Sequence, residues 1–570
     1  MNFLGISVGE LDTAEFLSAG RALYVVAYLA WVLLLVRARK VGSGWVVIVI
    51  VFALVGWFLT NYPLQRLYGL EAGMDRQRNL WWCATAAAGN APWESGVVGG
   101  NNLEPAWALL VSALSLFDPA LVMKVYPFLP AVAITLAGIS FFFSFRNRPD
   151  LESRERDAER ILSGFLVVFL ILLAPTGPLD YLSPYRGFWQ RTFLLKPNHA
   201  LGLTLVPLFV TLVAGRPTLR RSAAAALVLG ALGWAFIVHW ALTCGGVTFY
   251  AAAGLLRREE RWKSELARLS AILLVSLVLV APYLWYLVRS FPVVSFPTGA
   301  YPDDPQMSVW GDSPSSTHSL FFLATLDLGP TFILAGFGIW TCWKLGSRFG
   351  LLWAGLIVGA HSAWAANAVL LAAGQARQTD EIYFFLVAMT AVLAAFGLFE
   401  LMKRLMTASM VHWTWPRATS VLLLLWFPLT FPWWWRPDEM DPHFRLSLEP
   451  IPGRLTTLGA WIREHSNGKD VFFAGADVAL WIPALSGRRV VRTGMPWLDT
   501  DAYRLERRLL FPESEDEGRA ALRQLAVDYV VLDPSLRSEH HLEPDRLDHV
   551  PLLELVFQTA DIKVYRPTRE

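Results

Sequence analysis

The sequence predicts a polytopic α-helical membrane protein that carries a soluble α/β domain at its C-terminal end. Of its 570 residues, 55% are hydrophobic and only 17% are charged, a balance that excludes an ordinary soluble globule. The apolar residues gather in runs of roughly membrane-spanning length. After Trp435 charge, proline and short alternating patterns replace these runs. We therefore predict a transmembrane domain over 1–435 and an extracytoplasmic α/β domain over 436–570.

About a dozen apolar runs are candidate spans. In chain order they are 18–36, 45–60, 122–145, 161–175, 201–214, 223–239, 247–256, 269–288, 331–343, 349–371, 382–401 and 420–432. The apolar stretch 105–117 is too short to count with them. A full crossing there would also move the basic connection after residue 145 to the outside, so we expect this stretch to be partly inserted or packed against the bundle.

Lysine and arginine set the orientation, because they collect in connections on the cytoplasmic side. The basic connections are 37–40, 146–160, 216–221, 257–263, 344–348 and 402–404. The polar loops between the other span ends are then extracytoplasmic, as is the C-terminal domain. Acidic residues precede the first run, so no removable signal peptide is expected. The predicted location is the cytoplasmic membrane.

The first external loop, 61–104, contains the sharpest candidate for chemistry. Its EAGMDRQRN stretch puts Glu71 and Asp75 four residues apart, on one face if it is helical, with Arg78 and Asn79 close by. A carboxylate at the mouth of a membrane bundle, beside a cation, is placed to take a proton from an incoming hydroxyl. A single aspartate in such a loop is more often structural, and that alternative stays open. We interpret the adjacent pair Trp81-Trp82 as part of an interfacial belt.

Basic residues ahead of two later spans are candidates for binding an oxyanion. Arg191, Lys196 and His199 precede the run 201–214, and Arg377 precedes the run that begins at residue 382. Arginine binds phosphate in a bidentate way and lysine binds it as a point charge. The alternative is that these cations meet lipid headgroups, and that His199 caps or packs at a helix start.

Two histidines within apolar runs and one acidic pair are further candidates for function. His239 and His361 lie within apolar runs, where we expect neutral rings that are hydrogen-bonded to a neighbouring helix. Asp303 and Asp304 are the best candidates for binding Mg²⁺ or Mn²⁺, although PDDP is also an ordinary turn sequence, which we favour.

The C-terminal domain is predicted to contain alternating strands and helices. Its strand segments are VFFAGADVALWIPAL and VDYVVLDPS, its helices are LGAWIREHS and GRAALRQLA, and LELVFQTADIKVYRP is a terminal hairpin. Its histidine-rich stretch, His540 and His541 with Asp545 and His549, lacks firm metal-ligand spacing and predicts a solvated loop. The three cysteines are too few and too scattered for a disulfide framework.

As a whole the arrangement resembles the integral-membrane glycosyltransferases of the GT-C fold, which use polyprenyl-phosphate sugars. The resemblance depends on an acidic first external loop (Asp75) that continues through Gly89 and Trp93 to a helix entry at Pro105. It also depends on the runs KPNHALGL and RQTDEIYFFLVAMTAVLAA and on the external α/β tail. It implies a lipid-linked sugar donor and a glycan, lipid or protein acceptor outside the membrane.

The resemblance also implies roles for individual residues. Asp75 would be the base of an inverting sugar transfer, and Lys196, His199 and Arg377 would hold the lipid phosphate. Glu71, Arg78 and Arg191 are further candidates for substrate binding. The motif is a lone aspartate rather than a DD, DE or DxD pair, which leaves open whether Mg²⁺ or Mn²⁺ takes part.

A second class of function remains to be weighed. The chain could be a non-catalytic membrane protein, either a transporter of a lipid-linked or anionic solute or a scaffold for envelope assembly. Transporters tend to contain paired repeats, and we find no convincing internal repeat. The net charge of +2 gives no indication of a nucleic-acid partner.

Overall fold

The structure is a computed structural model that describes residues 74–94, 104–126, 129–148, 157–168, 197–257, 262–290, 329–372, 379–408, 453–491 and 500–568, with positions 96, 98 and 102 and isolated positions before residue 34. The chain forms two compact units. The helical unit comprises 1–65, 128–282 and 304–445, and the α/β unit comprises 66–127, 283–303 and 446–570.

The described residues are mostly helical, with a small sheet near the C-terminal end. A two-residue hairpin pairs β1 (Asn2–Phe3) with β2 (Ile6–Ser7). The helices up to residue 408 are α1 (Met74–Ala87), α2 (Pro105–Leu114), α3 (Pro119–Val125), α4 (Leu129–Arg146), α5 (Asp157–Val168), α6 (Pro197–Ala214), α7 (Leu219–Ala235), α8 (Ile237–Leu256), α9 (Trp262–Ser290), α10 (Gly329–Leu345), α11 (Arg348–Ala372) and α12 (Thr379–Ala408).

Helices α4 to α12 follow the predicted spans closely from residue 129 onward. Within the described residues two segments, Trp262–Arg289 and Arg348–Ala366, are long and apolar enough to cross a membrane by length and composition. The predicted runs 45–60 and 420–432 lie outside the described residues, as does nearly all of 18–36. The count of a dozen spans therefore stays a prediction.

One break between helices differs from the prediction. The apolar run predicted as a span over 223–239 is interrupted at Phe236, which has extended backbone angles between α7 and α8. His239 therefore opens α8 instead of closing α7. The rest of α8 contains the predicted span 247–256.

Glycines let the helices of this unit approach closely. A Cβ atom added to Gly338 of α10 would lie 2.0 Å from the carbonyl oxygen of Leu393 in α12, and one added to Gly397 would lie 2.1 Å from the carbonyl oxygen of Leu334. Small residues at such contacts are how apolar helices pack when no hydrophobic difference between lipid and side chain drives them together. The α10–α12 contact is therefore specified by its glycines.

A buried carboxylate ties three helices together at one end of the helical unit. The Glu265 carboxylate accepts a hydrogen bond from Arg268 at 2.6 Å and lies 3.7 Å from a guanidinium nitrogen of Arg348. Arg268 also donates to the carbonyl oxygen of Val213 at 2.7 Å. The end of α6 and the starts of α9 and α11 therefore meet.

Other basic connections lie in the same region of the unit. Arg257 donates to the carbonyl oxygen of Trp343 at 2.7 Å, which joins the connections at 257–263 and 344–348. Arg148 packs its guanidinium over the ring of Phe399, 5.0 Å from its centroid, beside the connection at 402–404. These contacts agree with the prediction that the basic connections share one side.

The α/β unit is built on a five-stranded sheet. Its strands are β3 (Val471–Ala474), β4 (Arg489–Val490), β5 (Tyr529–Leu532), β6 (Leu553–Gln558) and β7 (Lys563–Pro567), in the order β4-β3-β5-β7-β6. The first three are parallel, while β7 is antiparallel to both of its neighbours. All residues of β3 and β5 are buried, as expected for central strands that are covered on both faces.

Helices surround this sheet. They are α13 (Gly453–His465), α14 (Ala476–Ala479), α15 (Ile482–Ser486), α16 (Thr500–Leu510), α17 (Glu515–Gln524) and α18 (Pro534–His540), with a 3₁₀ turn at Arg546–His549. The predicted helices, the strand in VDYVVLDPS and the terminal hairpin are confirmed. The predicted strand VFFAGADVALWIPAL is confirmed only over β3, because Gly475 precedes a short helix and Pro483 lies in the first turn of the next.

The unit assignment also extends the predicted C-terminal domain. Residues 66–127 group with 446–570 instead of with the bundle. The predicted boundary at residues 435 and 436 lies outside the described residues.

Candidate active site

The structure describes the backbone of only part of the predicted site. Asp75, Arg78 and Asn79 lie in the first two turns of α1, so the acidic motif is helical from Met74 onward. The other predicted site residues, apart from His199, lie outside the described residues; they are Glu71, Arg191, Lys196 and Arg377. The predicted meeting of Asp75 with the basic residues stays a prediction.

Helix α1 is anchored to the α/β unit. The indole N–H of Trp81 donates to the carbonyl oxygen of Leu480, directly before α15. The side-chain amide of Asn90 donates to the carbonyl oxygen of Gly468 at 3.3 Å and to that of Thr85 at 3.0 Å. Sequence reasoning missed this anchor. The interpretation of Trp81-Trp82 as an interfacial belt is wrong here, because both side chains are buried in the α/β unit.

The first loop also extends the sheet. The amide of Val98 donates to the carbonyl oxygen of Val490 at 2.8 Å, and the amide of Val490 donates to that of Gly96 at 2.7 Å. These bonds pair the loop with the free side of β4. An open sheet edge is thereby covered by chain from near the N-terminal end.

A glycine in the left-handed backbone conformation makes room for α1. Gly487 has φ +71°, and a Cβ atom there would lie 2.7 Å from the carbonyl oxygen of Ala84 and 2.9 Å from the Cβ of Ala88. Only glycine combines this backbone conformation with so close an approach. The loop after α15 is therefore shaped to accept the C-terminal half of α1.

The opposite face of α1 packs on α2. The Ser112 hydroxyl donates to the carbonyl oxygen of Cys83 at 3.1 Å, and burial, with Glu104 as a second cause, raises the pKa of the Cys83 thiol well above its usual value. Helix α2 has ten residues, about 15 Å at 1.5 Å per residue. This is half the hydrocarbon thickness of about 30 Å, so α2 is too short to cross a membrane, as the sequence suggested for 105–117.

The chain that follows α1 is fixed to the last turns of α9. The Tyr283 hydroxyl donates to the carbonyl oxygen of Asn102 at 2.6 Å, and the ring of Tyr286 meets that of Trp93 edge-on at 6.2 Å. The Asn102 amide oxygen in turn accepts from the backbone N–H of Glu104 at 2.8 Å. The external loop is therefore held at several points along its length.

His199 forms a buried pair with His239 in the helical unit. Its Nδ1 atom lies 3.2 Å from Nε2 of His239, and both rings are fully buried. Phe236 packs edge-on against both rings at 4.8 and 4.7 Å, and Phe385 packs on His239 at 5.0 Å. A Cβ atom at Gly202 would lie 2.3 Å from Nδ1 of His239, so the glycine admits the second ring.

These positions bear on two predictions. His239 is hydrogen-bonded to a neighbouring helix, as predicted, whereas Nδ1 of His361 lies 3.0 Å from the carbonyl oxygen of Ile357 in its own helix. A phosphate contact by His199 stays a prediction. Its complete burial leaves no atom of the ring at the surface of the described residues.

The histidine-rich stretch of the C-terminal domain is not a solvated loop at its first position. His540 ends α18 and is fully buried, with Nε2 3.2 Å from a carboxylate oxygen of Glu506. Its ring stacks on Tyr503 at 5.0 Å. The prediction was wrong because the partners of His540 come from another helix, α16. His549 and Asp545, which lie 3.7 Å apart, are exposed as predicted.

The side chains that could bind a metal ion are His, Cys, Asp and Glu. Within the part of the chain that the structure describes, no group of three or more His, Cys, Asp or Glu side chains could hold a metal ion. The predicted acidic pair Asp303 and Asp304 lies outside the described residues. We assign no residue to a metal.

The chain was compared with known proteins in three ways. No protein-family model and no curated protein sequence matches it. Among solved structures, it is similar to the crystal structure of ArnT from Cupriavidus metallidurans in the apo state, with 14% sequence identity and a TM-score of 0.47. The similarity covers 92% of this chain and 98% of that one.

Proposed function

We propose that this chain is an integral-membrane glycosyltransferase of the GT-C type, which moves a sugar from a polyprenyl-phosphate donor to a glycan, lipid or protein acceptor outside the cytoplasmic membrane. The acidic first loop and the basic runs ahead of α6 and α12 suggest it. The structure adds support through the position of α1.

The observation that carries the proposal is that the helix of Asp75 is folded together with a sheet of soluble type. Helix α1 binds this unit through Trp81 and Asn90. A helix in such a setting lies at the aqueous side of a membrane protein, where an acceptor hydroxyl has access. The apolar helices of the other unit suit a donor whose lipid tail stays in hydrocarbon.

In the proposed reaction Asp75 takes the proton of the acceptor hydroxyl. The acceptor oxygen then attacks the anomeric carbon, the bond from that carbon to the phosphate oxygen breaks, and polyprenyl phosphate leaves with the bonding electrons. The configuration at the anomeric carbon is inverted. Arg191, Lys196 and Arg377 stabilise the charge that develops on the phosphate.

The remaining candidates take supporting roles in this proposal. Because the His199 ring is buried, we propose that it supports the start of α6 by packing. The start of α6 follows Lys196 directly in the sequence. Glu71 and Arg78 orient the acceptor and the carboxylate of Asp75.

The test is Asp75→Asn in purified full-length protein, offered a panel of radiolabelled polyprenyl-phosphate sugars. Loss of the base should lower the turnover number on the order of a hundredfold or more, while donor binding is retained. Asp118→Asn is a matched control: Asp118 caps α3 by accepting from the amide of Ala120 at 2.8 Å, and asparagine caps a helix equally well.

Two outcomes would count against the proposal. If Asp75→Asn and Asp118→Asn turn over at the wild-type rate, Asp75 is not the base. If the wild type neither binds nor turns over any lipid-linked sugar of the panel, the chain is better explained as a transporter or a scaffold.

A further inference from the structure

We propose that Trp81 and Asn90 are positioning residues of the sugar transfer, and that the α/β unit holds the base instead of merely covering the site. The inference rests on the proposed function, because it takes Asp75 as the base. Its physical content is that α1 is oriented by bonds to a segment almost 400 residues further along the chain, since 399 positions separate Trp81 from Leu480.

Helix α1 acts as one rigid element. It is a single helix from Met74 to Ala87, and Trp81 follows Asp75 by six positions, which is less than two turns. An axial shift or a rotation at Trp81 is therefore passed to Asp75 by the helix backbone. Whatever fixes the middle of α1 also fixes its N-terminal turn.

Hydrogen bonds from Trp81 and Asn90 hold α1 and the turn after it in place. The Trp81 side chain is almost completely buried, and its single N–H is used by the carbonyl of Leu480. Asn90, in the turn after α1, donates to the carbonyl oxygen of Gly468, which lies between α13 and β3 of the same unit. These two bonds restrict how far α1 and the turn after it can shift or rotate, because hydrogen bonds are directional and apolar contacts are less so.

The residues around these two hydrogen bonds are closely packed. Ala84 and Ala88 lie against Gly487 so closely that a single added Cβ atom would meet the Ala84 carbonyl. Val98 and Gly96 are paired with Val490 just beyond the helix. Helix α1 and the chain after it are therefore held on one surface of the α/β unit, and small displacements of a catalytic group by about 1 Å can cost about a hundredfold in rate.

The experiment uses Trp81→Phe in the full chain, because phenylalanine keeps most of the ring and removes the N–H. We expect the turnover number to fall by about 10- to 100-fold, with an unchanged KM for the lipid-linked donor that the wild type uses. Asn90→Ala should act in the same direction. Trp461→Phe is the matched control: Trp461 belongs to the same unit but packs on His465 and Phe557, and its variant should keep wild-type turnover.

A double-mutant comparison separates positioning from general damage. In the Asp75→Asn background there is no base left to position, so Trp81→Phe should cause no further loss of the residual turnover. A merely structural role for Trp81 would lower turnover by the same factor in both backgrounds, and that result would overturn the inference.

A readout without substrate completes the test. Hydrogen exchange of the backbone amides of 74–87 should be faster in Trp81→Phe than in wild type and unchanged in Trp461→Phe. If α1 exchanges at the wild-type rate in Trp81→Phe, the anchor does not hold the helix and the inference is wrong.

The two proposals fail differently. Wild-type turnover in Asp75→Asn would remove the proposed base, and with it the positioning role. Loss of turnover in Asp75→Asn together with wild-type turnover in Trp81→Phe would leave the proposed function intact and overturn the inference alone.

Discussion

The Nδ1 atom of His199 faces the Nε2 atom of His239 at 3.2 Å inside the helical unit. One of these nitrogens donates and the other accepts, because two N–H groups or two lone pairs would repel each other. The contact therefore couples the tautomer of one ring to that of the other. It joins the start of α6 to the start of α8, and His199 follows the predicted phosphate-binding residue Lys196 by three positions in the sequence.

We expect His239→Phe to lower the free energy of unfolding by about 1–3 kcal/mol, because it removes this hydrogen bond from a fully buried site. The thermal unfolding midpoint of the detergent-solubilised chain measures the effect. His361→Phe is the control, since that ring is half-exposed and bonds within its own helix. Equal losses of stability in both variants would contradict the importance of the pair.

The contact of α10 with α12 gives a second prediction. Gly338→Ala should destabilise the helical unit, because the new Cβ atom would lie 2.0 Å from the Leu393 carbonyl oxygen and force the helices apart, at a cost of about 1–3 kcal/mol. Gly336→Ala, two residues earlier on the same helix, should be neutral or stabilising, since nothing lies within 4 Å of its Cβ position and alanine is the better helix former. Comparing the unfolding midpoints of the two variants tests this, and a larger loss in Gly336→Ala would refute it.

The buried pair of Glu506 and His540 leads to a third prediction. His540→Ala should destabilise the chain by about 1–3 kcal/mol, because it removes a hydrogen bond from the buried carboxylate of Glu506. His549→Ala removes a pair whose two side chains are mostly exposed and should cost at most about 1 kcal/mol. Chemical denaturation followed by circular dichroism distinguishes the two, and similar midpoints would speak against the buried pair.

Asp548 should contribute acid sensitivity. Its hydrogen bonds with the Lys563 ammonium at 2.5 Å and the Tyr565 hydroxyl at 2.6 Å lower the pKa of this carboxyl below its usual value. A pKa that is lower in the folded state means that the ionised group stabilises the fold above the unfolded value of about 3.9, and that this contribution is lost as the pH falls through the folded value.

The unfolding midpoint of the wild type should therefore drop further between about pH 5 and about pH 2 than that of Asp548→Asn. Asp516→Asn, a change of the same kind in α17, serves as the control and should follow the wild type. Parallel curves for wild type and Asp548→Asn would show that these hydrogen bonds do not contribute to acid sensitivity.

The sequence was sufficient wherever a local pattern decides the structure. The apolar runs predicted most described helices, and the buried strands β3 and β5 have the β-branched and aromatic residues that strands prefer. The break at Phe236 has no local signal, because neither proline nor glycine occurs at that position within a continuous apolar run. Tertiary packing, with Phe236 against His199 and His239, accompanies the break.

The candidate site was predictable only in part, for the same reason. The sequence left open whether the acidic motif is helical, and Asp75 lies in a helix. The partners of that helix were not predictable, because Trp81 looks like any interfacial tryptophan until Leu480 is placed beside it. Likewise His540 becomes a buried residue only through Glu506 of another helix. No periodicity within a short window contains such pairs.

The hydrogen bond from Trp81 to Leu480 has a consequence for folding during synthesis of the chain. The two residues are 399 positions apart, so at roughly 5–20 residues per second the tryptophan emerges roughly 20 to 80 s before its acceptor has been made. Over that interval the residues of α1 that pack on the α/β unit lack the surface that later covers them. Premature termination before residue 480 would leave this surface of α1 permanently uncovered.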